Sequence, residues 1–155
     1  KNKTGLMVQV SSFGGVQYVF DVGYGVGKAG LDRLTADMAV EFKPYDVHAV
    51  TLYPGGAVTE IAAFPDGETP VFTGRAVAAL LNTATKEDLA QMNGKVVQTA
   101  ELAVNYGFTD LNGELPQGPF SSVDAAKQCR ETMSRPLFQY DREAELPDSS
   151  ATIPV

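Results

Sequence analysis

The chain is poor in the residues that build metal and disulfide sites. Its 155 residues include one cysteine, Cys129, and one histidine, His48. A single cysteine cannot close an internal disulfide, and the pair supplies too few ligands for a zinc site of the usual Cys and His type. His48 lies in an apolar run, where a core or edge histidine is commoner than a ligand. Cys129 lies in a polar run and could be exposed. The sequence therefore predicts no metal centre.

Positive charge and long apolar runs are scarce as well. Lys and Arg number 12 against 19 Asp and Glu, which gives a formal net charge of −7. Nucleic acids and anionic membranes attract clustered basic residues, so this balance argues against both as partners. No apolar run approaches the ~20 residues that a membrane-spanning helix needs, and no signal stretch is recognisable. We expect a reducing intracellular compartment and leave open the cytoplasm, the mitochondrion and the endoplasmic reticulum surface.

The remaining composition is that of a globular chain with one core, since 44% of residues are hydrophobic and 20% are charged. Apolar runs alternate with stretches of helical periodicity. This pattern predicts the order strand, helix, strand, helix, strand, at residues 6–10, 24–42, 47–53, 75–81 (with a second helical turn at 86–92) and 95–99. Such alternation is typical of an α/β fold whose parallel strands are joined by right-handed crossovers.

Several details of these elements are also predicted. In the first helix the apolar positions share one face, and the charged positions, Asp32 among them, are expected on the wet side. Turn residues predict a loop at 61–72, with Thr73 as the cap of the next helix. Residues 101–106 remain open between a strand continuation and a helical turn. From about residue 136 to residue 155, three prolines and four acidic residues predict an extended tail. A tail that is simply solvated is the preferred interpretation, and a tail that crosses another chain is the alternative.

Hydroxyl and small residues follow the first two predicted strands, at Ser11-Ser12-Phe13-Gly14 and from Pro54 to Thr59. Ligands of parallel sheets bind beyond the carboxyl ends of the strands, which places both segments at the expected site. Tyr24 and Lys28 are four residues apart and share one helix face. An ammonium beside a phenol favours the phenolate, which makes the phenol a usable proton donor. The pair alone is a weak signal, because a chain with six tyrosines contains such pairs by chance.

Three segments together, however, resemble the short-chain dehydrogenase/reductase family. They are Met7 to Gly14, Tyr24 to Ala29 and Leu52 to Glu60, in the family's order and spacing. The resemblance covers roughly residues 5–118. It implies that residues 1–118 are the C-terminal half of a Rossmann-like parallel sheet and that residues 119–155 are a C-terminal extension.

The resemblance also implies roles for individual residues. Tyr24 matches the acid/base that exchanges a proton with the substrate oxygen. Lys28 matches the residue that binds the nicotinamide ribose and favours the phenolate. One serine of the pair matches the donor to the substrate oxygen: Ser11 fits the spacing without a gap and is preferred, whereas Ser12 requires one deletion in the loop.

The cofactor and substrate follow from the same resemblance. Thr59 matches the residue that holds the nicotinamide carboxamide, and Pro54 and Gly55 match the wall beside the ring. The implied reaction is hydride transfer between NAD or NADP and a small carbonyl or alcohol substrate.

One part of the family pattern is missing from the sequence. The glycine-rich phosphate turn, the residue that selects between NAD and NADP, and the catalytic Asn all precede the serine strand in the family. We therefore expect the chain alone to be inactive and its first strand to expose an unpaired edge. A protein partner, either the other half of the enzyme or a larger assembly, would cover this edge. The alternative function is that of a truncated structural subunit without catalytic activity.

Overall fold

The computed structural model describes residues 5–60, 64–118 and 120–133. The predicted extended tail at 136–155 lies outside these residues, as do residues 61–63 of the predicted loop. Among the described residues, no helix is long and apolar enough to cross a membrane.

A parallel three-stranded sheet forms the centre of the fold. Its strands are β1 (Gly5–Val10), β2 (Val47–Tyr53) and β3 (Val96–Gln98), in the spatial order β1-β2-β3. The central strand β2 is the most buried, as expected of an apolar run with neighbours on both sides. The predicted α/β fold with a parallel sheet is confirmed.

Within the described residues five α-helices accompany the sheet: α1 (Val22–Glu41), α2 (Pro70–Asn82), α3 (Lys86–Met92), α4 (Thr99–Tyr106) and α5 (Val123–Met133). The main core lies between the sheet and helices α2 and α4. Its buried members are Val50, Leu52, Ala76, Leu80, Val97 and Leu102. Residues 101–106, for which the sequence left two possibilities, are helical, and Gly107 ends α4 with a φ of 70°.

Helix α1 is rotated from its predicted orientation. Its fully buried positions are the small residues Thr35 and Ala39, whereas Leu34 is half exposed. Asp32, expected in water, is partly buried and accepts a hydrogen bond from the Tyr53 hydroxyl. The prediction is wrong for Leu34 and Asp32, because apolar periodicity does not register the small side chains at the centre of the inner face. It is right for the other positions: Leu31, Met38 and Phe42 are partly buried, and Arg33, Asp37 and Glu41 are exposed.

Helix α2 begins earlier than the sequence predicted. Thr69 is its N-cap and Pro70 lies in its first turn. Proline is favoured there because the backbone N–H that it lacks has no helical partner at that position. Thr73, the predicted cap, lies inside the helix and donates a hydrogen bond to Glu68 Oε1 over 2.7 Å.

Helix α5 lies within the predicted C-terminal extension, where the sequence predicted no helix. Its residues Ala126 and Cys129 are buried. The Gln98 side chain, at the end of β3, donates to the Ala126 carbonyl over 2.8 Å. Part of the extension therefore packs against the end of the sheet, and the possible exposure of Cys129 is not observed. The domain boundary at residue 118 stays a prediction.

Candidate active site

The Tyr24 hydroxyl and the Ser12 hydroxyl meet beyond the carboxyl end of β1. Their oxygens are 2.7 Å apart, and either group can be the donor. Tyr24 lies in the first turn of α1, where its backbone N–H donates to the capping carboxylate of Asp21 over 2.9 Å. Capping thus fixes the start of the helix, and the helix presents the phenol to the loop after β1.

A glycine makes this contact sterically feasible. A Cβ atom on Gly14 would lie 2.5 Å from Cε1 of Tyr24, which is too close for any side chain. The Gly14 N–H also donates to the Ser12 hydroxyl over 3.2 Å. The Ser12 oxygen is therefore held by the backbone on one side and by the phenol on the other.

Lys28 lies one helical turn after Tyr24 and is partly buried. Its Nζ atom is 5.5 Å from the centroid of the Tyr24 ring, within the range of a cation–π contact. The predicted pairing of a phenol and an ammonium on one helix face is thus present in the structure.

The two candidate serines have different surroundings. The Ser11 hydroxyl is buried and donates to the Lys28 backbone carbonyl over 3.2 Å. Ser12, not Ser11, contacts the phenol. Neighbouring side chains at a strand end point in opposite directions, so only one of them can face Tyr24. The gap-free spacing that favoured Ser11 could not detect this difference.

Pro54, Gly55 and Thr59 follow β2 at the same edge of the sheet. The Gly55 N–H donates to Glu68 Oε2 over 2.9 Å. A Cβ on Gly55 would lie 2.3 Å from the Ser121 hydroxyl, so the backbone packs closely there. Thr59 is exposed in the loop that continues from this turn. The turn is therefore fixed by the hydrogen bond to Glu68 and by close packing against Ser121.

Glu68 is a buried carboxylate that sequence analysis placed in a loop and otherwise missed. Besides Gly55, its oxygens accept hydrogen bonds from the hydroxyls of Thr73 and Thr99, each over 2.7 Å. Burial raises the pKa of Glu68, and the three donors oppose this shift. Glu68 thus connects the turn after β2 to the first turns of α2 and α4.

Asp32 and Tyr53 form a second buried polar contact that sequence analysis missed. The Tyr53 hydroxyl donates to Asp32 Oδ2, while Oδ1 is buried with no hydrogen-bond partner among the described residues. Burial raises the pKa of Asp32, and the Tyr53 hydroxyl, the Ser11 hydroxyl and the charge of Lys28 counteract this rise. The pKa of Tyr53 is also raised, by burial and then by the hydrogen bond to Asp32. Asp32 follows Lys28 by four residues, a helix-face spacing that could have suggested it.

An aromatic side chain adjoins the phenol. The ring of Phe20 meets the Tyr24 ring edge to face, with 5.0 Å between centroids. Phe20 is half exposed, and its φ of 62° is unusual for a bulky residue. The approach to the hydroxyl pair is therefore apolar on this side.

The sequence matches the profile of a family described as short chain dehydrogenase over residues 1–66. Over 144 residues it is 37% identical to the mouse protein named Dehydrogenase/reductase SDR family member 1. That match covers 80% of this chain and 45% of the relative, so the chain spans less than half of the relative's length.

Solved structures resemble the fold. An oxidoreductase of the short-chain dehydrogenase/reductase family from Burkholderia thailandensis matches with a TM-score of 0.53 and 21% identity, over 63% of this chain and 43% of that one. An NADPH-bound carbonyl reductase from chicken fatty liver matches with a TM-score of 0.50 and 19% identity, over 61% and 40%. Sequence and fold agree with the three segments that suggested the resemblance: the chain belongs to the short-chain dehydrogenase/reductase family.

Proposed function

We propose that this chain supplies the acid/base part of the active site of an NAD(P)-dependent oxidoreductase. The reaction is the reduction of a small carbonyl compound or the reverse oxidation of an alcohol. The observation that carries the proposal is the hydrogen bond between Ser12 and Tyr24, with Lys28 beside the phenol. Two hydroxyls 2.7 Å apart suit the binding of one substrate oxygen.

In this proposal each side chain has a separate task. The Ser12 hydroxyl donates a hydrogen bond to the substrate oxygen and orients it. During reduction the Tyr24 hydroxyl gives its proton to that oxygen, and during oxidation the phenolate takes the proton back. The Lys28 ammonium stabilises the phenolate by its charge. A bound nicotinamide cofactor supplies or accepts the hydride at the substrate carbon.

The residues fit the nicotinamide end of such a cofactor. Gly55 lacks a side chain and is fixed by Glu68, so its turn is suited to be a rigid wall beside a flat ring. Thr59 is exposed at the same edge and would bind the carboxamide, and Lys28 would bind the ribose. The segment from Gly23 to Gly27 lies inside α1, not in a turn after a strand, so it is not a phosphate turn. In this proposal the phosphates, and the choice between NAD and NADP, depend on residues outside this chain.

The edge of β1 supports the proposal of a protein partner. Within the described residues β1 pairs with β2 alone, and its side chains Met7 and Val10 are exposed by 36% and 47%. An open apolar strand edge is prone to pair with another strand. We propose that a cofactor-binding half, carried by a longer polypeptide or by a separate chain, extends the sheet at β1.

The alternative function is a structural subunit that keeps the family fold without catalysis. Titration of the purified chain and of its native complex with NADH and NADPH separates the two functions. Binding by the complex supports the enzyme, whereas no binding by either preparation supports the structural subunit.

The direct test is Tyr24→Phe in the native complex, with small ketones, aldehydes and alcohols as substrates. Loss of the proton donor is expected to reduce kcat by about 100-fold or more. The phenyl ring keeps the packing with Phe20, so the unfolding temperature should not change. Tyr45→Phe, at an exposed tyrosine, is the matched control. Normal turnover by Tyr24→Phe would contradict the proposed mechanism.

A further inference from the structure

Asp32 is an ionisable group that the proposed chemistry does not use. One of its oxygens accepts from the Tyr53 hydroxyl, and the other is buried without a hydrogen bond of normal geometry among the residues described, although the Ser11 hydroxyl also opposes the rise in the pKa of this carboxyl. Burying a carboxylate with an unsatisfied oxygen costs free energy that an apolar residue would not cost. The contact with Tyr53 therefore calls for an explanation beyond packing.

The Asp32–Tyr53 pair connects two parts of the site that are distant in sequence. Asp32 lies on α1, one turn after Lys28 and two turns after Tyr24. Tyr53 is the last residue of β2 and directly precedes Pro54 and the turn proposed as the ring wall. The hydrogen bond thus fixes the helix that carries the proton donor to the strand end that carries the wall.

The loop after β1 packs against the same pair. A Cβ on Gly15 would lie 2.4 Å from Asp32 Oδ2 and 3.0 Å from the Tyr53 hydroxyl. This loop also holds Ser12, and the preceding Ser11 donates to the Lys28 carbonyl over 3.2 Å. Three segments, namely the serine loop, the helix α1 and the end of β2, therefore converge on one buried hydrogen bond.

We propose that Asp32 and Tyr53 are positioning residues that set the spacing between the Ser12–Tyr24 hydroxyls and the Pro54–Gly55 turn. Neither residue exchanges a proton with substrate. Their mechanical role, which is to hold the helix and the turn at a fixed spacing, does not depend on any reaction. The effect of this spacing on catalysis rests on the proposed function. A nicotinamide ring must fit between wall and proton donor, so a small change in this spacing would misalign the reacting atoms.

The neighbouring charges are compatible with this role. Lys28 faces Asp32 with opposite charge and counteracts the rise in the pKa of that carboxyl. Cys129 on α5 is another titratable side chain near the pair. Burial raises the pKa of the Cys129 thiol to about 12, so the thiol is neutral at physiological pH and does not compete for the Tyr53 proton.

Hydrogen exchange tests the mechanical role in the chain itself. Tyr53→Phe removes only the hydroxyl, and Asp32→Asn keeps the side-chain shape. In both variants the amides of Gly14 and Gly15 should exchange about tenfold faster, while Val50 in the centre of β2 keeps its rate. The controls are Tyr45→Phe and Asp37→Asn, at exposed positions of the same residue types, which should leave all three rates unchanged.

Kinetics of the native complex test whether the spacing set by Asp32 and Tyr53 affects catalysis. Tyr53→Phe should lower kcat about tenfold or more with little change in the KM for the carbonyl substrate, because spacing and not substrate binding is altered. Unchanged loop exchange in both variants overturns the proposal, and so does faster exchange with a normal kcat. Faster exchange in a complex whose wild type shows no nicotinamide-dependent turnover supports the mechanical role and refutes the proposed function instead.

Discussion

Removal of the Glu68 carboxylate should destabilise the carboxyl edge of the sheet. Glu68→Ala deletes the acceptor of three hydrogen bonds, from Gly55, Thr73 and Thr99. At about 1 kcal/mol net for each bond, the loss is about 3 kcal/mol. Relief of the buried charge offsets part of this loss, and the cavity left by the side chain adds to it. We therefore expect the free energy of unfolding to fall by about 3 kcal/mol.

Glu68→Gln separates hydrogen bonding from charge. The amide oxygen can still accept from Gly55, and the amide N–H₂ can donate to a threonine hydroxyl, so the loss should be about 1 kcal/mol. The pKa of Glu68 is raised in the folded protein, so its protonated form is the one that folding favours. The contribution of Glu68 to the free energy of unfolding is therefore complete below the pKa that this group has in the unfolded chain. It is lost as the pH rises through the pKa of Glu68 in the folded protein. Glu68→Gln lacks this dependence, so its deficit should be larger at acidic than at neutral pH.

Urea unfolding measures both effects. The chain has no tryptophan, so circular dichroism or tyrosine fluorescence is the signal. Glu114→Ala, at an exposed glutamate, is the control and should change stability by less than about 0.5 kcal/mol. Equal stability of Glu68→Ala and this control, or a Glu68→Gln deficit that grows with pH, would refute the reasoning.

Three further predictions concern close packing and burial. Gly14→Ala should separate Ser12 from the phenol and reduce kcat about tenfold or more, and normal activity of this variant would contradict the packing argument. Gly27→Ala, with no atom near its Cβ position, should instead raise the free energy of unfolding by about 0.5–1 kcal/mol. Kinetics measure the first effect and thermal unfolding measures the second. Cys129 should react with a thiol reagent at pH 8 only after urea unfolding, because it is buried and its pKa is raised to about 12; fast labelling of the native chain would be the opposite result.

The elements that the sequence predicted are those with strong local signals. The apolar run of β2 and the cluster of small residues after it are visible within ten residues of chain. Helix α5 gave no such signal, because its buried side chains are a small alanine and a cysteine in an otherwise polar segment. Its position depends on contacts with Gln98 and Glu101, which are distant in sequence.

The sequence likewise predicted the part of the candidate site that depends on local spacing. Tyr24 and Lys28 share one helix, so their spacing alone brings them together. The choice between Ser11 and Ser12 depends on a loop whose length sequence spacing cannot resolve to one residue. Asp32 contacts Tyr53, a partner 21 residues away, because α1 packs against the sheet. Long-range polar contacts of this kind have no periodic signature in a sequence.

The crossover between β1 and β2 has a consequence for when the candidate site forms during folding and is lost during unfolding. Gly5 pairs with Val47, so a long chain segment must close before the two strands can form hydrogen bonds with each other. The two hydroxyls of the proposed site, those of Ser12 and Tyr24, lie inside that closed segment. They should therefore appear with strand pairing during refolding and be lost with it during global unfolding.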